Sequence, residues 1–373
     1  MTLNGRTFIE KLESHTPLYL AEEGDPVGLH IGTLDKELSK VMMTLDVRPE
    51  VVQEAVAQGV DLIVAKHPPI FRPLKHLLTD NPQERMYSEL LKHDIAVYAA
   101  HTNMDIIEGG LNDWFCEKLD VRDTTFLRQT HEIHCKKLIV FVPETHADEM
   151  RQALGEIGAG RIGENYSHCS FSSSGEGRFK PINRAQPTIG KVGQPEIVSE
   201  VKIEVVFPET LERDVLRTMY AVHPYEEPAF DLLTLDNFTK TYGIGRIGDL
   251  PEAVPLTRFI ETVKQAFALD GLRLITDNDE KMVKRVAICG GSGEKFYRDA
   301  LYQQADVYIT GDVYYHTAHD MIAEGLTVLD PGHYIEFICK EKYLALFNQW
   351  KQSENWDVEF IASTINTNPF QWR

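Results

Sequence analysis

The sequence predicts an α/β fold in two halves, separated by a smaller α+β domain. Apolar stretches of strand length alternate with amphipathic helical stretches towards both ends of the chain, an order typical of α/β domains. An internal repeat indicates a different arrangement in the middle. A chain of 373 residues also exceeds what one hydrophobic core usually organises. We therefore predict three segments, 1–127, 128–240 and 241–373.

The first segment is predicted to be a β-α-β arrangement preceded by one short helix. The helix covers 7–15 and is closed by Pro17. The strands are expected at 40–47, 60–65 and 95–99, and the helices between them at 49–59 and 83–92. Polar residues follow the last two strands, and parallel strands of one sheet present their carboxyl ends at a common edge. Candidate ligands are therefore expected at strand ends.

The middle segment contains two related stretches, 137–160 and 202–225, which share Pro-Glu-Thr beginning at Pro143 and Pro208. Each predicts a strand, then a helix whose first turn carries acids that complement the helix dipole, and then a further strand. Two such units in tandem predict a ferredoxin-like domain. Between them, the Ser-, Gly- and Pro-rich stretch 170–196 predicts a long excursion, either a functional loop or a disordered spacer.

The third segment returns to alternating strands and helices after a glycine-rich junction at 241–250. Helices are expected at 256–267 and 294–304, strands from 284 and from 305, and a long helix from about His333. Pro331 and Gly332 suit positions just outside a helix start. This last helix would therefore carry His333 and Glu336 in its first turn.

Composition and charge disfavour several classes of function. The formal net charge of −19 repels phosphate backbones, so we expect no nucleic-acid partner. No apolar run approaches the roughly 20 residues of a membrane-spanning helix, and the first residues carry no apolar signal stretch. We therefore expect a cytoplasmic protein without a membrane partner. The five cysteines include no CxxC pair, which argues against a disulfide framework and a thiolate zinc site.

Metal-compatible side chains occur in three separate stretches of the sequence. His67 precedes two prolines, while His101 and Asp105 are four residues apart. His333 and Glu336 are three apart, so each pair can share one face of a helix or turn. Imidazoles and carboxylates without a thiolate suit one or two divalent cations per chain, of the Zn, Fe, Mn or Ni type. We predict that these five residues meet at a metal site, and we assign no catalytic residue.

Ordinary structural roles also explain these residues one at a time. His67 suits a strand end beside its prolines, and His333 suits a partly buried ring. Asp105 suits a helix N-cap or a turn, where Asp is common. Glu336 suits the first turn of a helix, where a negative charge is favourable without any ligand.

Three further polar stretches carry weaker signals. The glycine-rich stretch 289–294 predicts a tight strand-to-helix connection, with an anion cradle as the alternative. Asp312 and His316 follow a strand and either orient ligands or are polar residues at the mouth of the site. The cluster 223–227 predicts an exposed loop with a charged pair.

Six stretches of the chain resemble the NIF-three-like proteins, a family described as GTP cyclohydrolase I type 2 homologues. They are, in this order, GDPVGLHIG, TLDV, HPPIFRPLK, AAHTNMD, ITGDVYYH and DPGHYIE, and they span nearly the whole sequence. Longer bacterial members carry a PII-like, ferredoxin-type domain in the middle, where the internal repeat lies.

The resemblance implies two similar α/β halves that face a metal-binding cleft, a dinuclear divalent-metal centre, and a homo-oligomer in the form of a hexameric ring. The same five residues would be the ligands, with Glu336 as the bridging carboxylate. Lys66 stands where many members have a further histidine. In one alternative, the ammonium of Lys66 replaces a ligand and supplies part of the positive charge of a second ion, so that one metal ion is held tightly. In the other, Lys66 points away, and water or another group completes a weaker second metal site. From the sequence, the second alternative is our expectation.

Two classes of function are compatible with these features. The first is a metal-dependent hydrolase, in which metal-bound water is the nucleophile because the cation lowers its pKa. The resemblance implies GTP as the small-molecule substrate. The second is a non-catalytic metal carrier or insertase, or a regulatory scaffold whose PII-like domain senses a ligand. Turnover by metal-loaded protein distinguishes these two classes.

Overall fold

A computed structural model describes residues 1–371, except for the side chains of 237–239. The backbone forms two compact units. Met1–His131 and the chain from Tyr242 onward form the first unit, and Glu132–Thr241 forms the second. Both terminal segments thus belong to one unit, and the predicted boundaries at 127/128 and 240/241 stay predictions.

The strands are β1 (Leu3–Asn4), β2 (Gly28–Ile31), β3 (Glu37–Leu38), β4 (Lys40–Thr44), β5 (Leu62–Ala65), β6 (Ala96–Ala99), β7 (Arg122–Pro143), β8 (Phe171–Phe179), β9 (Glu196–Pro208), β10 (Phe230–Pro255), β11 (Arg273–Ile275), β12 (Met282–Ile288), β13 (Val307–Ile309), β14 (Thr327–Asp330) and β15 (Glu359–Ala362). The α-helices are α1 (Gly5–His15), α2 (Pro49–Gln58), α3 (Pro82–Lys92), α4 (Thr102–Ile106), α5 (Leu111–Leu119), α6 (Ala147–Glu156), α7 (Glu212–Val222), α8 (Leu256–Ala266), α9 (Tyr297–Tyr302), α10 (Tyr315–Ala323) and α11 (Cys339–Ser353). Short 3-10 helices cover Leu18–Leu20, Glu144–His146, Glu209–Leu211, Glu294–Phe296 and His333–Ile338.

A five-stranded sheet in the first unit has the order β15-β4-β5-β6-β2. β15, β4, β5 and β6 are parallel, and β2 is antiparallel to β6. Every residue of β5 and β6 is buried, as expected for parallel strands covered on both faces. The carboxyl ends of β4, β5 and β6 lead directly to Asp46, His67 and His101. Three polar residues thereby follow neighbouring strand ends.

The strands of the first unit's second sheet follow the order β11-β14-β13-β12-β10. β12, β13 and β14 are parallel, while β10 and β11 pair antiparallel at the two sides. The carboxyl ends of the parallel strands lead to the glycine turn after Ile288, to Asp312 and to His333. Polar groups again follow the carboxyl ends of parallel strands, as the sequence predicts.

The second unit contains, in chain order, part of β7, then α6, β8, β9, α7 and part of β10, with the sheet order β10-β7-β9-β8. Its core is formed by apolar side chains that alternate along β7 and β9 and by the inner faces of α6 and α7. These include Leu138, Val140, Val142, Met150, Leu154, Ile203, Val205, Phe207, Val215 and Met219.

The predicted excursion over 170–196 is wrong for its first part, because β8 occupies Phe171–Phe179. β8 is antiparallel to β9 along all nine of its residues. Serine and glycine have low strand propensity, but the backbone hydrogen bonds of a long partner strand outweigh that preference.

Two further differences concern the end of the chain. The residues from His333 form a 3-10 helix, and the α-helix begins only at Cys339. β15 was not predicted, and it extends the first sheet beside β4. Within residues 1–371, none of the helices is long and apolar enough to cross a membrane.

Candidate metal centre

His67 lies at the centre of the predicted ligand set. Its backbone N–H donates to the carbonyl of Leu45 at 2.9 Å, which continues the pairing of β4 with β5 beyond the strands. Its Nδ1 donates to Asp46 Oδ1 at 2.8 Å, and its Nε2 lies 2.9 Å from Glu336 Oε2. His67 and Glu336 are 269 positions apart in sequence, so packing within the first unit brings them into contact.

His333 and Glu336 lie in the 3-10 helix that follows β14. Residues i and i+3 superpose in a 3-10 helix, so both side chains point the same way. The Nε2 of His333 lies 3.3 Å from His67 Nε2 and 3.6 Å from Glu336 Oε2. One ligand atom from each of these three residues lies within 4.8 Å of the others, and the group forms a possible metal-binding triad.

His101 lies beside this triad. It precedes α4 as the N-cap residue, and its ring centroid is 5.7 Å from that of His67. Its Nδ1 donates to Asp25 Oδ1 at 2.7 Å, which leaves Nε2 as the ring nitrogen that can bind a cation. The backbone N–H of Thr102 also donates to Asp25, so this carboxylate is itself held in place.

Asp105 is linked to Glu336 by the side chain of Lys66, which contacts both carboxylates. The ammonium of Lys66 donates to Asp105 Oδ2 at 3.0 Å and lies 3.8 Å from Glu336 Oε2. Its side chain is 1% exposed. The expectation that Lys66 points away is therefore wrong, because two buried carboxylates attract the ammonium into the interior.

All three imidazoles have the same kind of partner: an aspartate carboxylate accepts a hydrogen bond from Nδ1. The pairs are His67–Asp46, His101–Asp25 and His333–Asp312. Such partners fix the ring orientation and the tautomer of metal-binding histidines and raise their basicity as ligands.

The charges of the centre raise the pKa values of His67 and His333 and keep Glu336 ionised. Burial by itself raises the pKa of Glu336, but the charge of Lys66 and the hydrogen bond from His67 outweigh it and hold that pKa below its ordinary range. Burial lowers the pKa of His67, yet its hydrogen bonds to Asp46 and Glu336 raise it to about 9. Burial lowers the pKa of His333, but its bond to Asp312 and the charge of Glu336 together outweigh burial and raise that pKa as well.

Lys66 and Asp105 form the other half of this electrostatic balance. Burial lowers the pKa of the Lys66 ammonium, but the charges of Asp105 and Glu336 outweigh burial and raise that pKa above its ordinary value. Burial raises the pKa of Asp105, and the attraction of Lys66 offsets only part of this rise.

The donor set fits a divalent cation. Imidazole nitrogens and carboxylate oxygens are the ligands that Zn, Fe, Mn and Ni accept. Asp105 Oδ1 is buried and has no hydrogen-bond partner, which is costly for a carboxylate oxygen unless a proton or a cation satisfies it. A cation would be held by the Nε2 atoms of His67 and His333 and by Glu336, and it would take the place of the proton between His67 Nε2 and Glu336.

The glycine turn after β12 makes room for Glu336. A Cβ at Gly290 would lie 3.1 Å from Glu336 Oε1, and one at Gly291 would lie 3.0 Å from it. The backbone N–H groups of Gly290 and Gly293 donate to Asn112 Oδ1 and Thr310 Oγ1. The turn is therefore a tight connection, and these two amides are not available to cradle an anion.

Sequence reasoning missed the roles of Asp25 and Asp46. Both lie in stretches that carry the family resemblance, GDPVGLHIG and TLDV, and Asp46 follows a buried strand, so a signal was present. For Asp312, the sequence left open whether it orients a ligand or is only a polar residue at the mouth of the site, and its carboxylate does bond His333. His316 instead contacts the ring of Tyr315 with centroids 5.4 Å apart.

The cluster 223–227 forms a loop between α7 and β10 in which Glu226 and Glu227 are exposed, as predicted. His223 itself is buried, its Nε2 donates to the carbonyl of Phe141 at 2.9 Å, and its Nδ1 accepts from the N–H of Tyr225. Both ring nitrogens are satisfied by the backbone, so the ring has a structural role in the second unit.

These observations define a mixed α/β protein with a candidate metal site of histidine and carboxylate. The chain belongs to the Duf34/NIF3 (NGG1p interacting factor 3) family, whose profile matches residues 3–369.

Similar proteins cover almost its full length. It is 46% identical over 369 residues to a Bacillus subtilis (strain 168) protein named GTP cyclohydrolase 1 type 2 homolog, which covers 99% of this chain and 98% of that protein. It is 45% identical over 370 residues to a Listeria innocua protein of the same name, with 99% of both chains covered. The crystal structure of a Bacillus cereus protein related to NIF3 matches with a TM-score of 0.86 at 44% identity, covering 100% of this chain and 99% of that one.

Proposed function

We propose that this chain is a metal-dependent hydrolase whose divalent ion is held by His67, His333 and Glu336, with His101 and Asp105 completing the site. The observation that carries the proposal is the convergence of three imidazoles, each oriented by an aspartate, beside a buried glutamate. When bound, a divalent cation supplies Lewis-acid chemistry and increases the acidity of water.

The side chains of the site have distinct tasks in this proposal. Asp25, Asp46 and Asp312 hold the Nδ1 protons, so that the Nε2 atoms remain for the cation. Glu336 stays ionised at neutral pH and supplies a buried negative charge. We assign no general acid among the described side chains, because the polar contacts at the centre do not identify one.

The name of the Bacillus subtilis relative makes GTP the first substrate to test. The net charge of −19 repels a triphosphate in general, so such a substrate would have to be attracted locally by the site and its cation. Simple phosphoesters are the second class to test, since they need the same positive centre without a purine pocket.

The second unit supports a further part of the proposal. Its β-α-β-β-α-β order and its sheet order β10-β7-β9-β8 are those of a ferredoxin-like domain, and we propose that it is the PII-like domain of the longer family members. A hexameric ring is proposed from the family resemblance alone. Light scattering of the purified protein gives the mass that tests it.

The test of function compares Glu336→Gln with His316→Gln. Both remove one titratable side chain, but His316 lies outside the triad. Wild-type protein and the His316 variant should retain Zn²⁺ or Mn²⁺ after dialysis, as measured by elemental analysis, and the Glu336 variant should lose it. Turnover of GTP and of p-nitrophenyl phosphate should follow the retained metal.

The result separates the alternatives. Metal retention with turnover that Glu336→Gln abolishes supports the hydrolase. Metal retention without turnover, together with fast exchange of the ion, overturns the hydrolase and favours a metal carrier. Wild-type protein that retains no ion under any loading condition contradicts the whole proposal.

A further inference from the structure

We infer that the Lys66 ammonium occupies the place of a second cation, so that this chain holds one divalent ion and not two. The inference rests on the proposed metal site and specifies its stoichiometry. It is carried by the position of one buried side chain between two buried carboxylates.

The ammonium is held on a defined side of the centre. It lies 3.0 Å from Asp105 Oδ2 and 3.8 Å from Glu336 Oε2, and it therefore bridges the two carboxylates. The Nε2 atoms of His67 and His333 approach the same Glu336 oxygen at 2.9 and 3.6 Å. The imidazoles provide a place for one ion, and Lys66 fills the place between the acids.

Lys66 cannot easily leave this position. Its side chain is 1% exposed, and its backbone N–H donates to the carbonyl of Thr44 at 3.0 Å, so the backbone directly after β5 is fixed. Moving the ammonium out would leave the buried Asp105 and Glu336 without their shared counter-charge until an ion replaced it. A lysine in its charged form has three donors and no lone pair, so it cannot itself bind the metal.

The local charges support the same stoichiometry. Asp105 and Glu336 are the two acids that contact the ammonium, and its charge compensates one of them. A single divalent ion beside the imidazoles more than compensates the other. A second divalent ion would add to a centre that is already compensated, and it would lie against a cation in a region of low dielectric.

The test is the number of metal ions per chain. Each protein is loaded with Zn²⁺, dialysed against metal-free buffer and measured by elemental analysis. We expect about one ion per wild-type chain and about two for Lys66→His, which replaces the ammonium by a neutral ligand of the type that Zn²⁺ accepts. The matched control is Lys92→His on the exposed surface of α3, where Lys92 pairs with Glu89, and it should keep the wild-type ratio.

A second variant distinguishes the effect of losing the Lys66 charge from the effect of gaining a histidine ligand. This test also remains available if Lys66→His fails to fold. Lys66→Met removes the charge and adds no nitrogen ligand. Its metal-free form should have a lower Tm than wild type, because two carboxylates stay buried without a cation. Zn²⁺ should then raise its Tm by more than it raises that of wild type.

Several outcomes would overturn the inference. Two ions in the wild-type chain, or a ratio that Lys66→His leaves unchanged, would each contradict the role of Lys66 while the metal site itself stands. Equal Tm shifts for wild type and Lys66→Met would do the same. The absence of any bound ion in wild type would instead overturn the proposed function, so the two failures are distinguishable.

Discussion

Single residues decide which atom of each histidine faces the centre. His67 offers Nε2 because Asp46 occupies Nδ1, and His333 offers Nε2 because Asp312 does the same. Removing such a carboxylate frees the ring to rotate and to change tautomer, although the ligand atom itself remains. The aspartates are therefore expected to affect metal affinity without contacting the metal.

Asp46→Ala should weaken Zn²⁺ binding by about 10- to 100-fold, the usual range for loss of a group that supports a metal ligand. The affinity is measured by competition with a chromophoric chelator. Asp80→Ala, at an exposed position, is the control and should bind Zn²⁺ as wild type does. If both variants bind equally well, Asp46 does not orient a metal ligand.

At the scale of elements, the segment after β15 contacts one of the aspartates that orient the histidines of the centre. The hydroxyl of Thr367 donates to Asp46 Oδ2, the second oxygen of the carboxylate that holds His67. Three residues earlier, the hydroxyl of Thr364 donates to Glu54 Oε1 at 2.6 Å. The two threonines thus lie in one segment and make equivalent bonds to different carboxylates. Substitutions at Thr364 can therefore serve as controls for substitutions at Thr367.

Thr367→Val should lower the affinity for Zn²⁺ by up to about tenfold, because Asp46 loses a hydrogen bond that holds it towards His67. Thr364→Val loses a hydrogen bond of similar kind, worth about 1 kcal/mol of stability, and should leave the affinity unchanged. Titration calorimetry measures both variants, and Thr367→Ser should restore the wild-type value. Equal losses in the two valine variants would indicate a general effect of the segment.

The end of α1 provides a pH-dependent contribution to stability. His15 packs against Trp350, with ring centroids 5.8 Å apart, and its buried Nε2 has no hydrogen-bond partner. Burial lowers the pKa of His15 below its ordinary value of 6.5, so the folded protein favours the neutral ring. As the pH falls through about 6.5, the unfolded chain takes up a proton more readily than the folded one, and stability is lost.

His15→Phe keeps an aromatic ring and removes the titration. Its Tm should therefore fall less than that of wild type between pH 7.5 and pH 5.5, as measured by differential scanning calorimetry. His93→Phe, at an exposed position after α3, should show the same fall as wild type. A fall in the His15 variant as large as in wild type would contradict the role of this ring.

For the molecule as a whole, Arg246 joins distant parts of the first unit. Its guanidinium makes two bonds of 2.7 Å to Asp113 and one to the carbonyl of Ile107, and it lies over the ring of Phe126. The arginine is 2% exposed. Its removal would take away all of these bonds, although the N–H of Gly109 would still donate to Asp113 Oδ2. Losing a buried arginine with several bonds is more costly than losing an exposed pair.

Arg246→Met should lower the free energy of unfolding by about 3–5 kcal/mol, the range for breaking a buried ion pair. Arg298→Met breaks the exposed pair with Glu324 and should cost no more than about 1 kcal/mol. Urea unfolding followed by circular dichroism compares the two variants. Similar losses would show that Arg246 contributes no more than a surface residue.

The sequence predicted the fold class and most of the elements of the first unit. Helix α2 is an example: Pro49 begins it, and Gly59 ends it with a left-handed backbone at φ +66°, as expected for these two residue types. Apolar runs likewise predicted β5 and β6. These signals extend over about ten residues, so they can be recognised without the rest of the chain.

The sequence by itself determined the chemical types at the centre, because imidazoles and carboxylates follow recognisable strand ends. Only the tertiary structure decided their partners: it turned Lys66 inward and placed Asp46 against His67. The same holds for β8, whose Ser- and Gly-rich sequence forms a strand because β9 lies beside it. The physical reason is range. Local patterns encode elements, whereas the energy of a buried charge or a sheet edge depends on residues that only packing brings together.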